Sequence, residues 1–425
     1  MSSLINSDKY VIHLKKFGFI NYVLACFLFL SASTVYFQND QLYRKLLSAF
    51  LFVLCIIFFY SITNLIRNKE INYRYILALL VYYSVMIIVF LRNIPGNSRL
   101  LVNVITYIFF PFIIFNWLYY QFKRQRSVDL FVAFKNIVVT YAIVSLILYF
   151  IVMFFHINSN ITIEINWGQK RVIYGYFGLL FNTQGFVPFL GLNLLRNTGI
   201  FTEAPMYSFV LTLALLILLF IETQKTHKKL WLLQLMILLI TMVTTTSTTG
   251  VFIAILALYL YVYKNIPQSV KTIMCLFLPV IILVLVILLI AKYSTGRGSV
   301  SFRINDITAS YQAWLQHPFL GNGWGNTAAV QQYMDSSRLI VGGNDGLSSG
   351  LLASLALNGF FQTSLLYFVP YVWYSHKFKK YALPFLLIIL LLNAIVDNSF
   401  IMLTFSFYMY VQVLFNKHDK LDSMV

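Results

Sequence analysis

Charge is scarce in this chain and acid scarcer still: charged residues make up 10% of the 425 positions, with 13 acidic against 31 basic. A soluble domain carries about 25% charged residues, so a water-covered globule of this composition is excluded. Cysteine is almost missing. Cys26, Cys55 and Cys275 fall in apolar runs without a CxxC or Cys/His cluster, which argues against a disulfide framework and against a zinc site. Polar linkers are missing too. Apolar runs follow one another to the C-terminal end, so residues 1–425 read as a single membrane domain with no appended soluble catalytic domain.

What fills the chain is hydrophobic: 60% of residues belong to the set AVILMFWYC and the mean hydropathy is +0.79. The formal charge of +18 would raise nucleic-acid binding in a soluble protein. Here the Lys and Arg residues gather in short alternate loops, as the positive-inside rule expects, so the lipid bilayer is the expected partner and nucleic acid is not. Lys9, Lys15 and Lys16 precede a run from 17 to 36 that is too long for a signal-peptide core and lacks a small-residue cleavage pattern. It reads as a retained first helix.

About 20 apolar residues cross a hydrocarbon core as a helix. Runs of suitable length cover 17–36, 46–66, 75–91, 100–121, 130–155, 205–221, 230–247, 250–263, 270–291 and 350–374. A last stretch, 382–415, is too long for one span and is interrupted by Asn393, Asp397, Asn398 and Ser399. It divides into two short helices with a tight turn that returns Asp397 to water. The expectation is an all-α polytopic membrane protein of about twelve transmembrane helices. With the N-terminus inside, the basic loops are cytoplasmic, and so is the C-terminus. No chain of acids or bases lies within the runs, which counts against an ion-coupled pump. No histidine lies within them either, which disfavours a membrane acyltransferase.

That topology leaves two long extracytoplasmic loops, 156–205 and 292–349, where function concentrates. In the first, Ile161-Thr162-Ile163-Glu164-Ile165 alternates like a short strand, and a Gly-rich apolar part unlike a span follows. The second holds an amphipathic helix over 302–316. Ile304, Ile307, Tyr311, Trp314 and Leu315 form its apolar stripe, with Arg303, Asp306, Ser310 and Gln312 off it. Such a helix suits the membrane surface.

Arg196, Arg297 and Arg303 occupy loops that should be poor in positive charge. Converging guanidinium groups match the oxygens of a diphosphate. The structural alternative is snorkelling, or an i, i+3 ion pair of Arg303 with Asp306. Gly321-Asn322-Gly323-Trp324-Gly325 fails as a dinucleotide loop, since position 326 is Asn and no strand precedes it. Trp314 and Trp324 stack on a sugar or, more commonly, anchor at the membrane interface. The turn Ser247-Thr248-Thr249-Gly250 is adequately explained as structural.

The order of three motifs carries a resemblance. Arg196-Asn197-Thr198-Gly199-Ile200-Phe201-Thr202-Glu203-Ala204-Pro205 enters a membrane helix. Residues 303–325, RINDITASYQAWLQHPFLGNGWG, lead from an arginine along a helix into a Pro-x-x-Gly-x-Gly turn. Asn344-Asp345-Gly346 opens the helix after the second loop. In this order the chain resembles the bacterial O-antigen ligase and polysaccharide polymerase superfamily.

The resemblance implies a polymerase of O-antigen, capsular or exopolysaccharide repeat units in the bacterial cytoplasmic (inner) membrane. It would join undecaprenyl-diphosphate-linked oligosaccharides on the outer face without cofactor, nucleotide sugar or metal. Arg196 and Arg303, then Arg297, would neutralise the departing diphosphate. Related ligases carry a His near the end of the large loop, where this chain has Asn344 and Asp345. Asp345 is therefore the first candidate base and His317 the second, each with a structural alternative: a helix cap for Asp345, a helix end before Pro318 for His317. Glu203, Asn344, Gly321 and Gly323 would support the site, with Glu203 orienting Arg196. A chain-length regulator and a flippase are candidate partners. The rival functions are ligase-type transfer to another acceptor and flipping of the lipid-linked oligosaccharide.

Overall fold

The computed structural model describes residues 18–93, 100–167, 169–189, 192–222, 228–268, 270–271, 297–336, 346–394, 396 and 398–416. It is mostly helical. Seven described helices are long and apolar enough to cross a membrane: Asp40–Arg67, Tyr73–Asn93, Leu100–Lys123, Asp129–Phe155, Ala204–Ile221, Thr248–Asn265 and Gly350–Phe378. Gly18–Leu30, Ala382–Asn393 and Phe400–Phe415 are shorter apolar helices. The expected run 270–291 lies almost wholly outside the described residues. The chain packs as two compact units, residues 1–54 with 128–277 and residues 55–127 with 278–425.

In the first unit, α1 (Gly18–Leu30) stops short of the expected residue 36. The hydroxyls of Ser31 and Thr34 donate to the carbonyls of Leu28 (3.0 Å) and Leu30 (2.6 Å), and Ser33 turns left-handed at φ 59°. Side chains thus take over the last-turn carbonyls. The next helix, α2 (Asp40–Arg67), is capped by Asn39, whose side chain accepts from the Leu42 N–H at 3.0 Å. Then α3 (Tyr73–Asn93) and α4 (Leu100–Lys123), both of the second unit, intervene before α5 (Asp129–Phe155) returns to the first.

The first long loop is not merely a loop with one strand. It holds five strands: β1 (Ile161–Trp167), β2 (Gln169–Tyr176) and β3 (Leu180–Asn182) form an antiparallel meander, and β4 (Phe186–Phe189) pairs with β5 (Leu192–Leu195). The expected all-α class therefore needs a β-layer added. Period-2 alternation drives β1, burying Ile165 while Thr162 and Glu164 stay exposed. Gly175 is the special position, because a Cβ there would come within 2.5 Å of the Phe181 ring.

After the strands come α6 (Ala204–Ile221), α7 (Lys228–Thr244) and α8 (Thr248–Asn265). In its most apolar stretch α6 is 89% buried against 22% for α8, which makes α6 the axis of this unit. Lys135 is a single base within the expected run 130–155. This base inside α5 is 1% exposed, and its ammonium lies 3.0 Å from Glu222 Oε2 and 2.9 Å from Gln234 Oε1. One ion pair ties α5 to the end of α6 and to α7. Removing either partner alone would leave an uncompensated buried charge, a cost of about 3–5 kcal/mol.

The second unit adds α9 (Arg297–Gln316), α10 (Gly350–Phe378), α11 (Ala382–Asn393) and α12 (Phe400–Phe415). The expected break between the last two helices is present, with the Ser399 side chain accepting from the Met402 N–H at 3.4 Å; Asp397 lies outside the described residues. Two prolines set up π-turns. Pro111 and Pro370 follow Ile105–Phe109 and Ser364–Phe368, where a missing N–H frees carbonyls upstream. Tyrosine hydroxyls fill the gaps: Tyr82 and Tyr83 donate to Tyr107 and Ile108 at 2.7 and 2.8 Å, and Tyr410 to Leu365 at 2.6 Å.

Helix α9 packs by its small face. Ala309 and Ala313 are buried against Val330, Met334 and Ala356, and Asp306 and Ser310 are buried as well. Ile304, Ile307, Tyr311 and Leu315 project outward at 45–57% exposure. The outward apolar stripe matches the expected surface helix, except that Trp314 turns inward and donates to the Pro318 carbonyl at 2.9 Å.

Candidate functional site

The segment 196–205 is threaded through the first unit by hydrogen bonds on almost every residue. Arg196 N–H donates to Gly185 (3.2 Å), and Asn197 N–H to Thr244 (3.1 Å). The Thr198 hydroxyl donates to the Phe181 carbonyl, and Phe181 N–H returns to Gly199 at 2.8 Å. Thr34 and Phe201 form an antiparallel bridge. Phe201 stacks on Tyr207 at 5.1 Å between centroids, which fixes the entry angle into α6. Gly199 sits at φ +55°, a left-handed turn where a Cβ would come 2.6 Å from the Tyr141 hydroxyl.

Arg196 is half-buried, and its Nε donates to the Thr245 carbonyl at 3.3 Å. Burial pushes its guanidinium below the ordinary value, and the charge of Glu203 pulls it partly back. Glu203 occupies the N-cap position of α6 in extended conformation without a side-chain cap bond. Gln184 serves that end instead, accepting from the Ala204 N–H at 3.0 Å. With Pro205 in the first turn, few donors at this helix start are left to satisfy.

Three hydroxyls near these residues in sequence are buried with no partner among the described residues: Thr183, beside Gln184; Thr246, beside Thr245; and Ser208, in the first turns of α6. An orphaned buried hydroxyl costs about 1–3 kcal/mol. Chemically, Arg196 offers a charged guanidinium fork, which suits an anionic oxygen group. Thr245, just before the turn Ser247-Thr248-Thr249-Gly250 that reads from sequence as structural, supplies the Arg196 partner. Close packing also fixes that turn, since a Cβ on Gly250 would overlap Ser208 Oγ at 1.7 Å.

The segment 303–325 of the second unit is built differently. Helix α10 is broken at Gly359 (φ 75°, ψ 176°), which strands backbone groups on both sides of the break. The turn after His317 lies across it. Asn322 and Gly323 N–H donate to Ala356 and Leu357, both at 2.9 Å, while Phe360 and Phe361 N–H donate to Pro318 (2.8 Å) and Phe319 (3.1 Å). Gly321 and Gly359 permit the crossing: a Cβ on Gly321 would stand 2.3 Å from the Leu357 carbonyl oxygen. Trp324 corrects its expected interface role. It is 2% exposed, and its Nε1 donates to Gln362 Oε1 at 2.8 Å while its backbone N–H donates to Asn93 Oδ1.

Of the residues expected at the site, Arg196 and Glu203 are brought together and Gly321 and Gly323 shape a structural turn. Arg303 is half-buried and engaged in contacts, and His317 is exposed at the end of α9. Arg297 opens α9. Asn344 and Asp345 lie outside the described residues. Thr183, Gln184 and Thr245 were missed by sequence reasoning, because single hydroxyls and amides in a loop carry no periodic signal. No family model matches the chain, and no curated protein or solved structure matches it.

Proposed function

We propose that this chain is a membrane glycosyltransferase that polymerises undecaprenyl-diphosphate-linked oligosaccharide repeat units on the outer face of the bacterial cytoplasmic membrane. The observation that carries the reading is Arg196: a half-buried guanidinium at the entrance to the most buried apolar helix of its unit. The motif order that resembles the O-antigen ligase and polysaccharide polymerase superfamily supports it, and the outward apolar stripe of α9 suits work at a lipid surface.

In this mechanism an acceptor sugar hydroxyl forms a bond to the anomeric carbon of the donor glycan. The bond from that carbon to the diphosphate oxygen breaks, and undecaprenyl diphosphate leaves. Arg196 stabilises the charge that grows on the departing diphosphate, where one well-placed donor contributes about 10²–10³ in rate. Glu203 orients Arg196. Asp345, or His317 after it, accepts the hydroxyl proton. Arg303 and Arg297 are assigned to the same diphosphate.

A lipid-linked oligosaccharide flippase is the second reading, and the break at Gly359 favours it, since broken helices line substrate paths in transporters. Against it, the groups freed by the break are taken up by the 318–323 turn instead of facing a cavity. Ligase-type transfer differs only in the acceptor. The test is a deletion strain complemented with wild type, Arg196→Ala or Arg303→Ala, with membrane levels matched. A polymerase predicts that long chains vanish and single units collect on the outer leaflet. Units held on the inner leaflet would identify a flippase.

A further inference from the structure

A groove of about 900 Å³ opens in the second unit, away from the segments discussed above. That size lies at the upper end of the roughly 300–1,000 Å³ typical of small-molecule sites. Its floor is Tyr82, Phe115 and Phe407, all buried. Its rim is Leu77, Val369 and Trp373, which are 55%, 43% and 43% exposed on α3 and α10. Those two helices are long and apolar enough to cross a membrane. The rim therefore faces hydrocarbon, and the occupant enters sideways from the bilayer.

One end of the groove is polar. Arg74, in the first turn of α3, and His376, near the end of α10, line it and are exposed. Lys377 lines it as well, hydrogen-bonded to the carbonyls of Val413 (2.9 Å) and Asn416 (2.7 Å) at the end of α12. No acidic side chain among the described residues lines the groove. The carboxylate of Glu70, close by in sequence, is held by Arg124 at 2.7 Å. An apolar trough ending in Arg74, His376 and Lys377, with no acidic side chain among its described lining, matches one chemistry: a hydrocarbon chain with an anionic head.

We propose that this groove is a binding site for an anionic glycerophospholipid, with an acyl chain along Phe115, Phe407 and Trp373 and the phosphate on Arg74 and His376. The site is independent of the glycosyltransferase reading. The lipid would be a bound component of this unit and not a reactant.

The test is native mass spectrometry of the full chain in neutral detergent, titrated with phosphatidylglycerol and with phosphatidylcholine of the same acyl chains. The expected result is a preference for phosphatidylglycerol on the order of tenfold. Arg74→Ala with His376→Ala should reduce the preference to less than about twofold; both residues are exposed, so the fold is spared. Trp373→Ala should weaken both lipids and keep the preference. Equal retention of the two lipids, an undiminished preference in the double variant, or unchanged binding in Trp373→Ala would overturn the proposal. So would displacement of the lipid by glycerol phosphate, which would identify a headgroup site without a chain site.

Discussion

Two arginine-led segments with similar sequence grammar do opposite physical work. Residues 318–325, which follow Arg303, close a wound in the fold: the carbonyls of Ala356 and Leu357 and the N–H groups of Phe360 and Phe361 find partners in the turn, and Trp324 donates to Gln362 beyond it. Residues 196–205 are just as tightly threaded along the backbone, yet an arginine among them stays half-open, and hydroxyls at Thr183, Thr246 and Ser208 of the same unit have no described partner. Evolution does not keep buried orphans for stability, since each is a cost. Backbone pairing across the Gly359 break marks the second segment as structural, and the half-open Arg196 marks the first as the candidate for a ligand.

Thermal unfolding of the purified protein in detergent should separate the two. Gly321→Ala should be the most damaging, by about 3 kcal/mol, because the new Cβ meets backbone at a left-handed position. Gly199→Ala should cost less, about 1–2 kcal/mol, since its Cβ meets the side chains of Tyr141 and Tyr207 and no backbone atom among its three nearest neighbours. Equal losses would erase the distinction. Trp324→Phe should follow at about 1–2 kcal/mol, from an unpartnered Gln362 oxygen in the 0% exposed interior.

The smallest stability effects carry the sharpest information. Thr246→Ala should change stability by less than about 0.5 kcal/mol or raise it, because it removes a hydroxyl that bonds to nothing described. Polymer yield should nonetheless fall on the order of tenfold if that hydroxyl receives the substrate. A variant with both stability and yield intact would deny the segment its ligand. His317→Ala, on an exposed side chain, should also stay within about 0.5 kcal/mol, and its effect on yield decides whether it serves as the base.

Much of this architecture is legible in the sequence because hydrocarbon enforces helix on any apolar run of sufficient length. Even the split of 382–415 follows from Asn393 and Ser399. The β-layer was legible only at Ile161–Ile165, where alternation is clean; the short strands after it carry no comparable run. Lys135 was hidden inside an otherwise apolar helix, and its partners Glu222 and Gln234 lie 87 and 99 residues away. The role of Gly359 was hidden too, since a lone glycine in a span reads as tolerated helix until the turn that crosses it is seen. Arg196 was legible through its violation of the charge rule, while the hydroxyls near it were not, because orphaning is a property of three-dimensional packing.

The most direct test compares wild-type and Arg196→Ala protein, at equal membrane abundance, for formation of long glycan and release of undecaprenyl diphosphate from lipid-linked repeat units. The account predicts a loss of both products by about 10²-fold or more, while the fall in stability stays within the roughly 1–3 kcal/mol of one lost hydrogen bond to the Thr245 carbonyl. Undiminished product from Arg196→Ala would contradict it.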